Sequence, residues 1–144
     1  KEFAIRPNYK ADYIGLPISH APGNTGDIEV YSKKLYWLIE VTLIRNKTQQ
    51  LNSETTSVIR HFLEDNKINN YLSKYLSFVA PFIHQDTREF FDYSIVRNKI
   101  KDQRFNLKPY SISEFIDTTL TSENFKDMES YTSKVIEDFR NNLN

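Results

Sequence analysis

Alternating apolar and polar positions predict a β-hairpin in the first third of the chain. Residues 27–32 and 35–44 are both rich in β-branched and aromatic side chains, and Lys33-Lys34 separates them. This is the pattern of two strands joined by a two-residue turn. Counting outward from that turn places Asp27 opposite Glu40, whereas a slip of one residue would put the two carboxylates on opposite faces. The pattern thus predicts two acidic side chains on one face of a sheet.

A helix is predicted directly after the hairpin. Asn46 and Gln49 have the spacing of a capping box, and a core-facing stripe follows at helical spacing: Leu51, Val58, Ile59 and Phe62. At 100° per residue, Gln50, Glu54 and His61 fall within about 60° of one another. This polar edge is either a solvated helix flank or a set of functional groups over the sheet end that carries the two acids.

The remaining patterns predict further strands and helices. A strand is expected within residues 9–18, a buried strand over 74–83 that stops near Pro81, and a strand over 105–110. Capping boxes at 86–89 and 111–114 predict a helix to about residue 101 and a shorter one, and a last helix is expected over 123–140. Together these elements predict an α/β fold with a central mixed sheet flanked by helices.

Composition fits a single domain spanning residues 1–144, because 39% hydrophobic and 14% aromatic residues suffice for one core. The absence of cysteine excludes disulfides, thiolate metal sites and cysteine nucleophiles. No stretch near 18 apolar residues and no secretory pattern occur, so no membrane association is expected and a cytoplasmic location is the default. Neither a Gly-rich phosphate loop nor a nucleophile elbow is present.

The two acidic residues of the hairpin have a chemical use. Glu40 lies in a near-continuous apolar run, where a lone carboxylate is costly, and cross-strand carboxylates repel unless a cation lies between them. Mg²⁺ prefers oxygen ligands, takes one or two protein carboxylates and completes its shell with water and phosphate oxygens. The alternative is structural: Asp27 begins a strand, Glu40 pairs with a lysine, and Glu29 on the same face meets a lysine or solvent. The three glycines, Gly15, Gly23 and Gly26, all precede Asp27, where the backbone is expected to approach another group closely.

A family resemblance is carried by four segments: Asp27-Ile28-Glu29, Leu38-Ile39-Glu40-Val41-Thr42, Gln50-Leu51-Asn52-Ser53-Glu54 and Ser57-Val58-Ile59-Arg60-His61-Phe62. Together they resemble the PD-(D/E)XK nuclease core of AlwI-type type IIS restriction endonucleases. The similarity is strongest to the small cleavage subunit, and the cleavage domain, of heterodimeric nicking enzymes. It implies a Mg²⁺-dependent endonuclease that cuts, or nicks, double-stranded DNA, with Mn²⁺ able to replace Mg²⁺.

The resemblance also implies roles for individual residues. The metal ligands would be the side chains of Asp27 and Glu40 and the backbone carbonyl of Val41. Active-site positions would be Glu54 and His61, with Gln50 as a polar position one turn earlier. Thr42 stands where many nuclease-fold proteins have lysine, and the resemblance leaves open whether Lys47, Gln50 or His61 does part of that work.

Three other residues lie near the proposed site in the predicted order of elements. A family acid on the helix before the first strand would lie near or before Glu2, which makes Glu2 a weak candidate. His20 and His84 fall in expected loops and are interpreted as solvated side chains.

The balance of charge bears on how the chain would engage DNA. The chain has 19 basic and 19 acidic residues, unlike a self-sufficient DNA binder, so sequence recognition is expected from a partner subunit or a separate domain. Local positive charge is expected from residues near the proposed site in sequence: Lys33, Lys34, Arg45, Lys47 and Arg60. Thr42 and the neutral charge also motivate an alternative, a non-catalytic nuclease-fold subunit acting in protein or DNA contacts.

Overall fold

A computed structural model describes residues 3–19, 26–99, 104–121 and 123–143. The strands are β1 (Ala4–Pro7), β2 (Ile28–Tyr31), β3 (Leu35–Val41), β4 (Ser73–Ala80) and β5 (Phe105–Ser111). The helices are α1 (Lys47–Gln49), α2 (Thr56–Glu64), α3 (Gln85–Lys99), α4 (Ile112–Leu120) and α5 (Asn124–Asn141). A π-helical segment, Gln50–Thr55, joins α1 to α2, and a 3₁₀ helix, Asn66–Asn70, precedes β4.

The five strands form one sheet in the order β1-β2-β3-β4-β5. Strands β1, β2 and β3 are antiparallel neighbours, whereas β3, β4 and β5 are parallel. Each parallel connection needs a crossover, which the helices before β4 and α3 provide. The predicted α/β fold with a central mixed sheet flanked by helices is confirmed.

The predicted hairpin register is also confirmed. Ile28 pairs with Ile39 and Tyr31 with Tyr36, and the chain turns at Lys33-Lys34. One further step in the same register sets Asp27, which directly precedes β2, against Glu40 of β3. The hairpin therefore positions both acids at the same end of the sheet.

The strand predicted within residues 9–18 is wrong. Within that segment only an isolated bridge joins Ala11 to Pro17, and the Asp12 carboxylate accepts hydrogen bonds from the backbone N–H groups of Ile14 and Leu16 at 2.9 Å each. A side chain that occupies backbone donors in this way favours a turn over a ladder, and Gly15 has a φ of 87°. The strand at this edge is β1, which lies earlier in the chain.

Two element boundaries also differ from the prediction. Strand β3 ends at Val41, whereas the apolar run continues to residue 44, and α3 begins at Gln85. Asp86 therefore lies in the first helical turn, where it forms an ion pair with Lys47 at 2.9 Å. The Ser111 capping box is present as predicted, with both of its hydrogen bonds formed.

Apolar side chains cover both faces of the sheet. On one face, the strands pack against α2 and α3 through Leu38, Leu76, Phe78, Leu107, Ile59, Phe62, Phe91 and Ile95. On the other face, they pack against α4 and α5 through Val30, Ile39, Tyr75, Val79, Tyr110, Phe115, Phe125 and Met128. None of the helices in the described ranges is long and apolar enough to cross a membrane.

Candidate functional site

Asp27 and Val41 meet at the open end of the β2–β3 hairpin. The Oδ2 of Asp27 accepts a hydrogen bond from the Val41 backbone N–H at 2.8 Å, while the next N–H, that of Thr42, points the other way and donates to the Val79 carbonyl of β4 at 2.9 Å. The N–H and C=O of one strand residue point to the same side. The Val41 carbonyl is therefore directed toward the side of the sheet on which Asp27 lies.

Glu40 lies beside Asp27 in an electrostatically unfavourable position. Burial raises the pKa of Glu40 to about 8, and the charge of Asp27, a side-chain hydrogen bond with Asp27 and the charge of Glu54 act in the same direction. Two carboxyl groups in contact cannot both ionise without cost, so the pair holds a proton or a cation. The predicted convergence of Asp27 and Glu40 is therefore present.

Gly26 allows the backbone to pass close to this pair. A Cβ at position 26 would lie 2.1 Å from Leu38 Cδ1 and 3.1 Å from Glu40 Oε1, so a larger residue would displace both side chains. The predicted close approach is thus present at Gly26, whereas Gly15 serves the distant turn. Gly23 lies outside the described residues, as do Glu2 and His20.

An open cavity of about 680 Å³ lies between the hairpin and the helix that follows it. Glu40 lines the cavity from β3, Glu54 from the π-helical segment and His61 from α2. The structure therefore brings together three of the predicted site residues, and Asp27 contacts one of them. None of the five basic residues expected near the site lines this cavity: Lys33, Lys34, Arg45, Lys47 and Arg60.

Gln50 is not part of this cavity. Its side chain is fully buried, its amide nitrogen donates to the Phe82 carbonyl at 3.0 Å, and its Oε1 accepts from the His84 backbone N–H at 3.1 Å and from the Thr87 hydroxyl at 3.0 Å. These bonds tie the start of the helix to the loop before α3. Gln50 therefore holds the start of the helix against the loop before α3 and is not among the residues that line the cavity.

The π-helical segment explains why the helical wheel grouped Gln50 with the cavity residues. The Thr56 backbone N–H bonds to the Leu51 carbonyl five residues earlier, and the Thr55 hydroxyl bonds to the Gln50 carbonyl at 2.8 Å. This wider turn changes the angle per residue between Gln50 and Glu54 from the α-helical value. Of the predicted polar edge, Glu54 and His61 line the cavity and Gln50 does not.

The structure narrows the choice among the three residues that were expected to do part of the work of a lysine at position 42. The Thr42 side chain is buried, and its hydroxyl accepts from the Ile44 backbone N–H at 3.2 Å. Lys47 is paired with Asp86 and Gln50 is buried away from the cavity. Of the three residues considered, His61 alone lines the cavity. His84, interpreted as solvated, is instead half-buried and bonded through Nε2 to the Arg45 carbonyl at 2.9 Å.

Arg6 is a cavity residue that no pattern in the sequence indicates, and it lies beside Glu29. Arg6 of β1 and Glu29 of β2 both line the cavity, and Arg6 Nη1 lies 3.8 Å from Glu29 Oε2. Glu29 is buried, and its Oε1 accepts a hydrogen bond from the Tyr36 hydroxyl at 3.0 Å. The expectation that Glu29 meets a lysine or solvent is wrong, because β1 brings an arginine to it.

The donor set is compatible with a hard divalent cation. Two carboxyl groups in contact, a backbone carbonyl directed to the same side and an open cavity for water and phosphate oxygens meet the usual needs of Mg²⁺. Across the described ranges, no group of three or more His, Cys, Asp or Glu side chains is arranged to hold a metal. Any metal here would thus depend on few protein side chains, a common arrangement for Mg²⁺.

Comparison with known proteins identifies a family and a similar solved structure. Residues 2–118 match the family described as AlwI restriction endonuclease. The crystal structure of the small subunit of the heterodimeric restriction endonuclease R.BspD6I is similar, with a TM-score of 0.63 and 25% sequence identity over 92% of this chain and 69% of that one. A search of curated proteins found no match.

Proposed function

The chain belongs to the AlwI restriction endonuclease family, and we propose that it hydrolyses a phosphodiester bond in one strand of duplex DNA with Mg²⁺ as cofactor. The observation that carries this proposal is the contact between Asp27 and Glu40 beside a cavity that Glu54 and His61 also reach. Carboxylates concentrated beside a cavity suit cation-assisted chemistry on an anionic substrate. Mn²⁺ is expected to replace Mg²⁺.

Asp27 and Glu40 would hold the metal with their carboxylates, and Val41 with its backbone carbonyl. When bound, Mg²⁺ would polarise the phosphate, lower the pKa of the attacking water and stabilise the leaving oxygen. Glu40 must first lose its proton, because the ligand form of a carboxyl group is the carboxylate. The hydrogen bond from Val41 to Asp27 keeps one ligand oriented before any ion arrives.

Glu54 and His61 would act from the helical wall of the cavity. His61 is exposed at the cavity, and an imidazole is the side chain most often used to transfer protons in catalysis. It can donate a hydrogen bond to a phosphate oxygen, which is part of the work that lysine does in other nuclease-fold proteins. Glu54 is half-buried in the same wall and would orient the attacking water by accepting a hydrogen bond from it.

Sequence recognition would come from a partner subunit or a separate domain. The formal net charge of zero favours a cleavage module with weak affinity of its own for DNA. The similar protein of known structure is one subunit of a heterodimeric restriction enzyme. This supports the proposal that cleavage and sequence recognition belong to different subunits or domains. A type IIS arrangement, with cleavage outside the recognised sequence, is part of this proposal and rests on the family resemblance alone.

A fusion protein tests the proposal without knowledge of the natural partner. The full chain is joined to an unrelated DNA-binding domain and mixed with a supercoiled plasmid that carries the binding site of that domain. With Mg²⁺ or Mn²⁺, we expect nicked circles with breaks near the site. Glu40→Gln and Asp27→Asn should abolish nicking, whereas Glu137→Gln, an exposed acid on α5, should not. No nicking by the wild-type fusion with either metal, or equal nicking by Glu40→Gln, would overturn the proposal.

A non-catalytic subunit is the second candidate. It is favoured by the Thr42 hydroxyl, which is engaged in a local turn with Ile44, and by the small number of side chains available to a metal. The contact between Asp27 and Glu40 argues against it, because a subunit without catalysis has no reason to maintain two repelling carboxyl groups. Isothermal titration of the chain with Mn²⁺ separates the two, since only the nuclease should bind the metal through Glu40.

A further inference from the structure

The walls of the cavity are strongly acidic. Five acidic side chains line it: Glu29, Glu40, Glu54, Glu64 and Asp65. A DNA strand is a polyanion, and a divalent ion can offset only the charge of its own ligands and of the phosphate being cut. The phosphates on either side of that bond would therefore meet negative charge unless another cation faces them.

Arg6 is the cation in position to do this. Among the described residues that line the cavity it is the only arginine or lysine. Its side chain is 67% exposed, so it is largely open to solvent. A guanidinium has five N–H donors in a planar fork that matches the oxygens of a phosphate, and the contact with Glu29 uses only part of that fork.

Glu29 and Tyr36 hold this arginine in place. Arg6 and Glu29 are direct partners in the β1–β2 register, and the Arg6 Nη1 to Glu29 Oε2 distance is 3.8 Å. The buried Tyr36 donates its hydroxyl to the other Glu29 oxygen at 3.0 Å. The Tyr36 hydroxyl thus holds the Glu29 carboxylate in place, and Glu29 in turn orients one side of the Arg6 guanidinium. The other side of the guanidinium is left for a ligand.

The strand geometry fixes where such a ligand would lie. Glu29 follows Asp27 by two residues on the same face, a separation of about 7 Å along a strand. Arg6 pairs with Glu29, so its backbone lies that far along the sheet and one strand over from Asp27, and its long side chain can reach the phosphate next to one held at Asp27. We propose that Arg6 binds the DNA phosphate next to the one that is cut, and so positions the strand for cleavage. This inference rests on the proposed nuclease function.

The first test measures DNA binding without cleavage. The fusion protein described above is prepared with Glu40→Gln to prevent cutting, and its affinity for a duplex carrying the binding site is measured over a range of salt concentrations. Arg6→Gln should reduce the slope of log affinity against log salt by about 1, as expected for loss of one phosphate contact. Arg97→Gln, the same charge change in the exposed last turn of α3, should leave the slope unchanged.

The second test locates the contact on the DNA. A neutral methylphosphonate replaces the phosphate next to the cut in an otherwise unchanged substrate. With the fusion that retains Glu40, we expect the KM for nicking to rise about tenfold and kcat at saturating DNA to change much less. Arg6→Gln should raise KM to a similar extent on normal DNA, and the two changes together should give no further increase.

A folding control is needed, because Arg6→Gln leaves the buried Glu29 without its cation. The double variant Arg6→Gln Glu29→Gln removes both charges, and it should retain the reduced salt slope with the thermal stability of the wild type. An unchanged slope in both variants, or additive effects of Arg6→Gln and the methylphosphonate, would overturn the assignment of Arg6. If the wild-type fusion does not cut at all, the proposed function fails, while the salt slope still decides whether Arg6 contacts phosphate.

Discussion

The Asp27 carboxylate accepts a hydrogen bond from the backbone N–H of Val41 at 2.8 Å. Regular pairing between β2 and β3 ends at Ile28 and Ile39. Beyond that pair, the Asp27 side chain accepts the hydrogen bond that a backbone carbonyl of the neighbouring strand would otherwise accept from Val41. The acid and the strand end are thus held together by the fold itself. A site built in this way is oriented before a cation or substrate binds, which lowers the cost of ordering it.

The unusual protonation of Glu40 predicts how the stability of the metal-free protein depends on pH. Burial and then the charge of Asp27 raise its pKa from 4.5 to about 8 in the folded chain. Between these values the folded protein holds a proton that the unfolded chain has released, so this group makes the folded state less stable as pH rises from about 4.5 to about 8. We expect the free energy of unfolding to fall over this range relative to that of Glu40→Gln.

Urea denaturation in the presence of a chelator measures this difference. Wild type and Glu40→Gln are compared at several pH values between about 5 and about 9, a range that covers most of the interval in which Glu40 is shifted. All other groups titrate in both proteins, so the difference between the two curves reports Glu40. Two curves that stay parallel over the whole range would show that Glu40 is not protonated in the folded chain.

Metal binding should show the opposite trend with pH. Because the ion must displace the proton of Glu40, the apparent affinity for Mg²⁺ or Mn²⁺ should rise as pH approaches about 8 and then level off. Below that pH, binding should release up to one proton from Glu40. Isothermal titration in two buffers of different ionisation enthalpy measures the proton count. Glu137→Gln should behave like the wild type, and an affinity that does not change with pH would contradict the Glu40 ligand assignment.

The hairpin shows why part of the site could be predicted from sequence alone. The Lys33-Lys34 turn fixes the register, and the two-residue period of a strand then assigns every side chain to a face. The pairing of Ile28 with Ile39 follows directly, and with it the position of Asp27 against Glu40. The turn residues and the strand pattern specify the same pairing, so a short segment of sequence is sufficient to predict the position of both acids.

Other parts of the site depend on contacts that no short pattern reveals. Strand β1 is four residues long and mostly exposed, so it has no buried alternation, and the pairing of Arg6 with Glu29 could not be foreseen. The π-helical segment has ordinary helix-compatible residues, so its wider turn leaves no signal in the sequence, and Gln50 within it is buried against the loop before α3. Tertiary packing therefore decides both features: it brings Arg6 to the cavity and keeps Gln50 away from it.

His61 is predicted to act on the reaction and not on the metal. His61→Gln in the fusion protein should lower the nicking rate by about 10²-fold or more, the usual contribution of a group that moves or shares a proton. Mn²⁺ affinity should stay within about threefold, because the expected ligands are intact. His84→Gln is the matched control, since His84 lies outside the cavity and bonds to the Arg45 carbonyl. A loss of metal binding in His61→Gln would instead make His61 a ligand.

Gln50 is predicted to stabilise the fold without taking part in the chemistry. Gln50→Leu would leave the Phe82 carbonyl, the His84 N–H and the Thr87 hydroxyl without their partner, and unpaired buried groups of this kind should lower the free energy of unfolding by about 3 kcal/mol. Gln49→Leu, at the exposed neighbouring position, should change it by less than about 0.5 kcal/mol. Denaturation measures stability, and nicking at low temperature measures the activity of the folded fraction. A Gln50→Leu protein that keeps wild-type stability but loses nicking would return Gln50 to the catalytic residues.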